Sequence, residues 1–199
     1  MIRSNNIFQG HPSVLWVILA VAALMRLIGL TDFSLSNDEL SALARLQFSS
    51  FSEVIAHGVY PDFHPAGVQA FLYVWTGLFG FSDLVVRLPF AILGASSVFL
   101  SYLIGRRLFG VNTGLLYAAA LATLEFPLLY SQIARPYSPG LFFVLLSFWY
   151  LTGISSNEDK RNGRSTMLHL IGFTLAVSAC MYTHYFSFLQ AGLICMTGF

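Results

Sequence analysis

Asp38 and Glu39 stand side by side in SNDEL (36–40), just after the first apolar run of the chain. A carboxylate at a membrane surface can take the proton from an attacking hydroxyl, so the pair is the candidate general base. Ser36-x-x-Glu39 also spells a capping box, and acidic residues suit the positive end of a helix. One stretch can do both. Arg26, Arg87 and Arg135 are the complementary half. Each falls at the end of an apolar run, where an ionisable side chain defaults to function, although a long side chain there can also snorkel to the interface. Three guanidinium groups at comparable depth make an anion site, and the phosphate of a lipid is the fitting anion. His64 in DFHPAG (62–67), Tyr137 in SQIARPYSPG (131–140) and His184 in YTHYF (182–186) are candidates for substrate contact. The plainer accounts are a structural His at a helix entrance for His64 and an interfacial aromatic belt for His184. Glu125, ahead of Pro127, is a further intramembrane acid without an assigned role, and His11, His57 and His169 look incidental.

These residues must be carried by membrane helices. Of the 199 residues 56% are hydrophobic and only 10% charged, with mean hydropathy +0.71. Soluble domains carry about 25% charged residues, so an apolar composition along the whole length means an integral membrane protein. The net charge of +1 and the lack of a basic patch with interleaved aromatics exclude nucleic acid as a partner. Cys180 and Cys195 lie in apolar runs without metal-ligand spacing and read as small hydrophobes. No sequence motif specifies a metal; a divalent ion is neither required nor identified.

Apolar runs approach span length at about 14–30, 84–104, 112–133, 137–154 and 165–183, and another begins near 186. The run 14–30 is too long for a signal-peptide core and is read as a retained helix. The run PAGVQAFLYVWTGLFGF (65–81) is short and punctuated by glycine, and charge decides its place. GRRLFG (105–110) and NEDKRNGR (157–164) hold five of the ten basic residues, whereas 31–64 is acidic. With the N-terminus inside, both basic loops are cytoplasmic provided 65–81 does not cross. It is therefore read as an interfacial or re-entrant helix of an external loop, 31–83. This topology gathers Arg26, Asp38, Glu39, His64, Arg87, Arg135, Tyr137 and His184 near the external face.

The ordered series NDEL, DFHPAG, VVRLPFAILGASSVFLSYLIGRRLFG, YSQIARPYSPG and YTHYF, spread over about 14–190, resembles the membrane glycosyltransferases of the dolichyl-phosphate-mannose protein mannosyltransferase type, including bacterial relatives that modify lipopolysaccharide or other envelope molecules. The resemblance implies an all-α polytopic GT-C bundle whose first external loop roofs a cavity. It implies transfer of a sugar, with inversion, from a polyprenyl-phosphate carrier to a lipid, glycan or protein hydroxyl, at the periplasmic or external face of the inner membrane. By motif match Asp38, with Glu39 beside it, becomes the acidic base or metal-site residue. Arg26 and Arg87 become donor-phosphate ligands, and Arg135 and Tyr137 fall in a second external motif. That motif reads ARPYSPG and lacks the acidic residue of some relatives, and Ala66 replaces the second proline of the usual HPP. Family members continue through further helices, so this chain is expected to be a fragment or truncated product with an incomplete donor cavity, inactive alone. Two rivals stay open. A transporter subunit would line an anion path with the three arginines, although no internal repeat supports it. An inactive membrane scaffold would keep the fold without the chemistry.

Overall fold

The computed structural model describes residues 12–62, 64–154 and 163–197, and all its regular elements are helices. Arg3, His11 and most of NEDKRNGR lie outside the described residues. The first helix, α1 (Pro12–Leu27), ends in a turn at Gly29, whose φ of 74° suits a residue without Cβ. The expected capping box then starts α2 (Asn37–Ala44): Ser36 Oγ accepts from the Glu39 N–H, and the Glu39 carboxylate accepts from the Ser36 N–H. A short α3 (Phe51–Glu53), capped by Ser50, passes into a π-helical segment (Val54–Val59) and a 3-10 turn (Tyr60–Asp62). These pieces and α4 (Gly67–Phe79) form the 31–83 connection.

With 13 residues α4 is about 20 Å long, short of the ~30 Å hydrocarbon core. Both of its ends lie at one end of the bundle. Gly67 packs against the Tyr182 carbonyl, and Trp75 Nε1 donates to the Val85 carbonyl at 2.7 Å. That second bond has a specific cause. Pro89 sits inside α5 (Asp83–Phe109) and has no N–H for the carbonyl four residues back, which is that of Val85. Trp75 supplies the missing donor, so the proline that weakens α5 also anchors α4.

From Phe109 the chain reverses at Gly110 (φ 94°) into α6 (Val111–Thr123). Gly105 and Gly114 let the two backbones touch, since a Cβ at either would collide with the facing helix. The expected run 112–133 does not continue as one helix. Pro127 would clash with the Thr123 carbonyl, and Leu124 is extended (ψ 126°). A short α7 (Glu125–Leu129) follows, then a loop to Pro136. The hairpin of α8 (Tyr137–Ile154) and α9 (Gly163–Thr183) packs Gly153 under His169 and Gly172 under Tyr150. Last comes α10 (Tyr185–Thr197).

By length and composition α5, α8 and α9 can each cross a membrane, while α1, α4, α6 and α10 are apolar but shorter. The chain is a helical membrane bundle, as its composition requires. Arg107 marks the end opposite to α4. Its guanidinium lies 4.8 Å from the Trp149 ring centre and donates to the Trp149 carbonyl near the close of α8.

Candidate active site

Two loop segments meet over the ends of α1 and α5, and Glu39 is the pin. Its carboxylate is completely buried. Oε1 accepts from Arg87 Nε at 2.8 Å and from the Ala134 N–H at 2.9 Å; Oε2 accepts from Arg87 Nη2 at 2.8 Å and from Ser36 N and Oγ at 2.9 and 3.0 Å. Burial pushes the Glu39 pKa up, but the hydrogen bonds from Arg87, Ala134 and Ser36 outweigh it and hold the carboxyl below its usual range. Arg87 is equally committed. Besides Glu39 it donates to the carbonyls of Leu30, Phe33 and Ser34 at 2.8, 2.9 and 3.0 Å. All five N–H groups of its guanidinium are thereby used.

Arg26 faces elsewhere. Its guanidinium is buried and donates to the carbonyls of Ala22, Ala122 and Leu121. The last two belong to the final turn of α6, whose carbonyls the break at Leu124 leaves without helical donors. A cation there also suits the negative end of the helix. Gln132 does similar work for α1, its amide donating to the carbonyls of Met25, Arg26 and Ile28. The three arginines expected to converge therefore do not. Arg26 closes α6, and Arg87 locks Glu39.

Asp38, next to the pin, points outward. It lines a cavity of about 570 Å³ with Ser36, Asn37, Arg87, Tyr130, Gln132 and Tyr137. Behind it Arg135 donates weakly, Nη1 to the Asp38 carbonyl at 3.4 Å, while its Nε is buried without a hydrogen-bond partner. Around Arg135 lie the Arg45 guanidinium and the imidazoles of His64 and His184. Partial burial, then Arg135 and Arg45, hold the His64 imidazole below its ordinary pKa against the pull of Asp38. Burial, then His64 and Arg135, do the same for His184. His184 Nδ1 accepts the Phe186 N–H at 3.3 Å, which leaves Nε2 as the protonated nitrogen of a neutral ring.

Tyr137 links two compartments. Its ring lies 4.5 Å from that of Tyr130 and 5.7 Å from that of His184. With Phe126 beside Tyr130 and Phe186 beside His184, a continuous row of aromatic rings crosses the site. Of the residues expected from sequence, Asp38, His64, Arg87, Arg135, Tyr137 and His184 form one neighbourhood, with Arg87 lining the Asp38 cavity while its guanidinium is committed to Glu39 and carbonyls. Tyr130, Gln132 and the Ala134 N–H escape sequence reading. Only the polar Gln132 and the aromatic Tyr130, both at the end of an apolar run, hint at a role. Among the described residues no three His, Cys, Asp or Glu side chains are grouped to hold a metal ion. The donor set among the described residues does not fit a divalent cation.

The sequence model of the dolichyl-phosphate-mannose-protein mannosyltransferase family matches residues 63–196, about two-thirds of the chain. The chain belongs to this family. It is thus an integral membrane protein of a glycosyltransferase family, and the matched region holds His64, Arg87, Arg135, Tyr137 and His184. Asp38 and Glu39 precede it. No curated protein and no solved structure matches the chain.

Proposed function

We propose that the chain carries the catalytic face of a transferase that moves a sugar from a polyprenyl phosphate to a hydroxyl on a lipid, glycan or protein acceptor at the external membrane surface. The observation that carries this reading is the buried, unpartnered Nε of Arg135, set near Arg45 and the imidazoles of His64 and His184 beside an exposed carboxylate. A buried donor without a partner is costly, and an anion supplied by a ligand would satisfy it. A polyprenyl phosphate can keep its tail in lipid while its phosphate meets Arg135.

The acceptor hydroxyl gives its proton to the Asp38 carboxylate as its oxygen attacks the anomeric carbon. The bond from that carbon to the phosphate oxygen breaks, with inversion. The electron pair leaves on the polyprenyl phosphate, whose charge Arg135 stabilises. Glu39 and Arg87 act as positioning residues that fix Asp38 and Arg135 relative to each other. Arg26 supports the fold beneath them.

The test is sugar transfer from labelled polyprenyl-phosphate sugars in nanodiscs. Arg135→Ala should weaken donor binding by about tenfold or more while leaving the melting temperature in place. Asp38→Asn should keep donor binding and lose turnover. Transfer at wild-type rate by either variant would overturn that residue's role.

A further inference from the structure

The head of α5 carries Arg87, and Pro89, two residues later, weakens its tie to the rest of the helix. Ser82 caps this head, its hydroxyl accepting the Val85 N–H, and the fully buried Val86 seats it in a core with Leu72 of α4 and Ala134. The Val85 carbonyl loses its helical donor to the proline and accepts from Trp75 Nε1 instead. Trp75 is held in turn by a row of rings along α4. It stacks on Phe71 with centroids 5.7 Å apart and tilts against Phe79 at 4.3 Å, while Phe71 meets Phe90 edge-on. On the far side of the proline Ser138 Oγ donates to the Phe90 carbonyl at 2.7 Å, one residue along from Tyr137. Two other helices thus hold the α5 backbone on either side of its break.

We propose that Trp75 is a positioning residue of the active site: by holding the Val85 carbonyl it fixes the head of α5, and so the place at which Arg87 meets Glu39. The inference rests on the transferase reading above for its catalytic consequence, and goes beyond it by joining α4 to the site. The route is short. Val85 lies two residues from Arg87 in the same helical turn. The Arg87 guanidinium donates to both Glu39 oxygens at 2.8 Å, and Glu39 Oε1 accepts the N–H of Ala134, the residue before Arg135. A carbonyl freed within a membrane helix must find a donor in the protein, so without Trp75 the head of α5 turns to satisfy it. Arg87 tolerates little such turning, because its hydrogen bonds to Glu39 and to the Leu30, Phe33 and Ser34 carbonyls are directional.

The experiment compares the wild-type chain in nanodiscs with Trp75→Phe, Pro89→Ala and the double variant. Trp75→Phe keeps the ring contacts and removes the donor, while Pro89→Ala gives back the backbone N–H that the Val85 carbonyl lost. Amide exchange at Ala134 reads the Glu39 pin, and exchange at Ala118 in α6 reads global opening. Trp75→Phe should speed exchange at Ala134 about tenfold, the effect of one carbonyl left without its donor, and leave Ala118 within about twofold. The double variant should match Pro89→Ala within about twofold at Ala134, since the restored N–H makes Trp75 dispensable. Sugar transfer should fall in Trp75→Phe, mainly through kcat, and recover in the double variant. Unchanged Ala134 exchange in Trp75→Phe, an equal rise at Ala118, or no rescue by Pro89→Ala would overturn the proposal. So would wild-type turnover by Trp75→Phe with Ala134 loosened. Should Trp75→Phe fail to fold, a folded double variant is the same rescue, and a double variant that also fails overturns the proposal. If no version transfers sugar while the exchange pattern holds, the transferase reading falls and the coupling of α4 to the pin stands.

Discussion

Neighbouring carboxylates with opposite surroundings allow a sharp separation of structure from chemistry. Glu39→Gln keeps the volume but removes the negative charge that faces Arg87. Glu39 is fully buried and the Arg87 side chain is 5% exposed, so the cation left behind has little access to water. Breaking a buried pair from one side costs about 3–5 kcal/mol. For a chain of this size that is a fall in melting temperature of about 6–20 °C. The pH dependence has a definite sign. Glu39 is held below its ordinary value of 4.5, so its contribution is present above that value and is lost as the pH falls through the lower folded-state value. Asp38→Asn changes an exposed side chain and should move stability by less than about 0.5 kcal/mol. It should nevertheless cut turnover by about 10²–10⁴-fold. Melting in detergent and sugar release from a labelled carrier, run on both variants, read the two effects. Wild-type melting for Glu39→Gln would refute the pin. Full turnover for Asp38→Asn would refute the base.

Other expectations follow from the same geometry. Arg26→Met leaves the Leu121 and Ala122 carbonyls without their donor and should cost about 2–4 kcal/mol, with donor affinity unchanged; reduced affinity at unchanged melting temperature would return Arg26 to the donor site. Tyr60→Cys and Phe81→Cys, in a background without Cys180 and Cys195, should both react with an impermeant thiol reagent from one side of the membrane. Labelling from opposite sides would mean that α4 crosses. The lowered imidazole pKa values of His64 and His184 mean that the unfolded chain binds protons more readily, so stability should fall as pH drops below about 6.5. Replacing both by Asn should flatten the melting curve against pH between 7 and 5, and an unchanged slope would assign the acid sensitivity elsewhere.

The membrane class and the main helices were legible because lipid imposes long apolar runs, which single residues cannot disguise. The start of α2 was legible too, because a capping box is local. The break at Leu124 was present in Pro127, but the run was apolar throughout and hydropathy does not register a lost hydrogen bond. The fate of the arginines was not legible. Arg26 meets carbonyls 95 and 96 residues away, and Arg87 meets Glu39 across 48. A charged residue at a helix end looks the same in sequence whether its partner is a ligand phosphate or a backbone carbonyl left free by a distant proline. Composition identifies the need for a partner, while only the fold identifies the partner.

That distinction bears on how the site works. A carboxylate and an arginine on two separate loops would drift by ångströms unless something rigid joined the loops. Position errors of that size cost rates heavily. Glu39 joins them with five hydrogen bonds, three to groups of the Ser36 and Ala134 loops and two to Arg87 at the head of α5. Because Glu39 takes that burden, Asp38 can stay exposed and Arg135 can keep a donor unpaired. Chemistry requires such groups, and folding alone would not favour them. In the proposed mechanism the acidic doublet divides the labour, one residue turned inward to hold the site and its neighbour turned outward to take the proton.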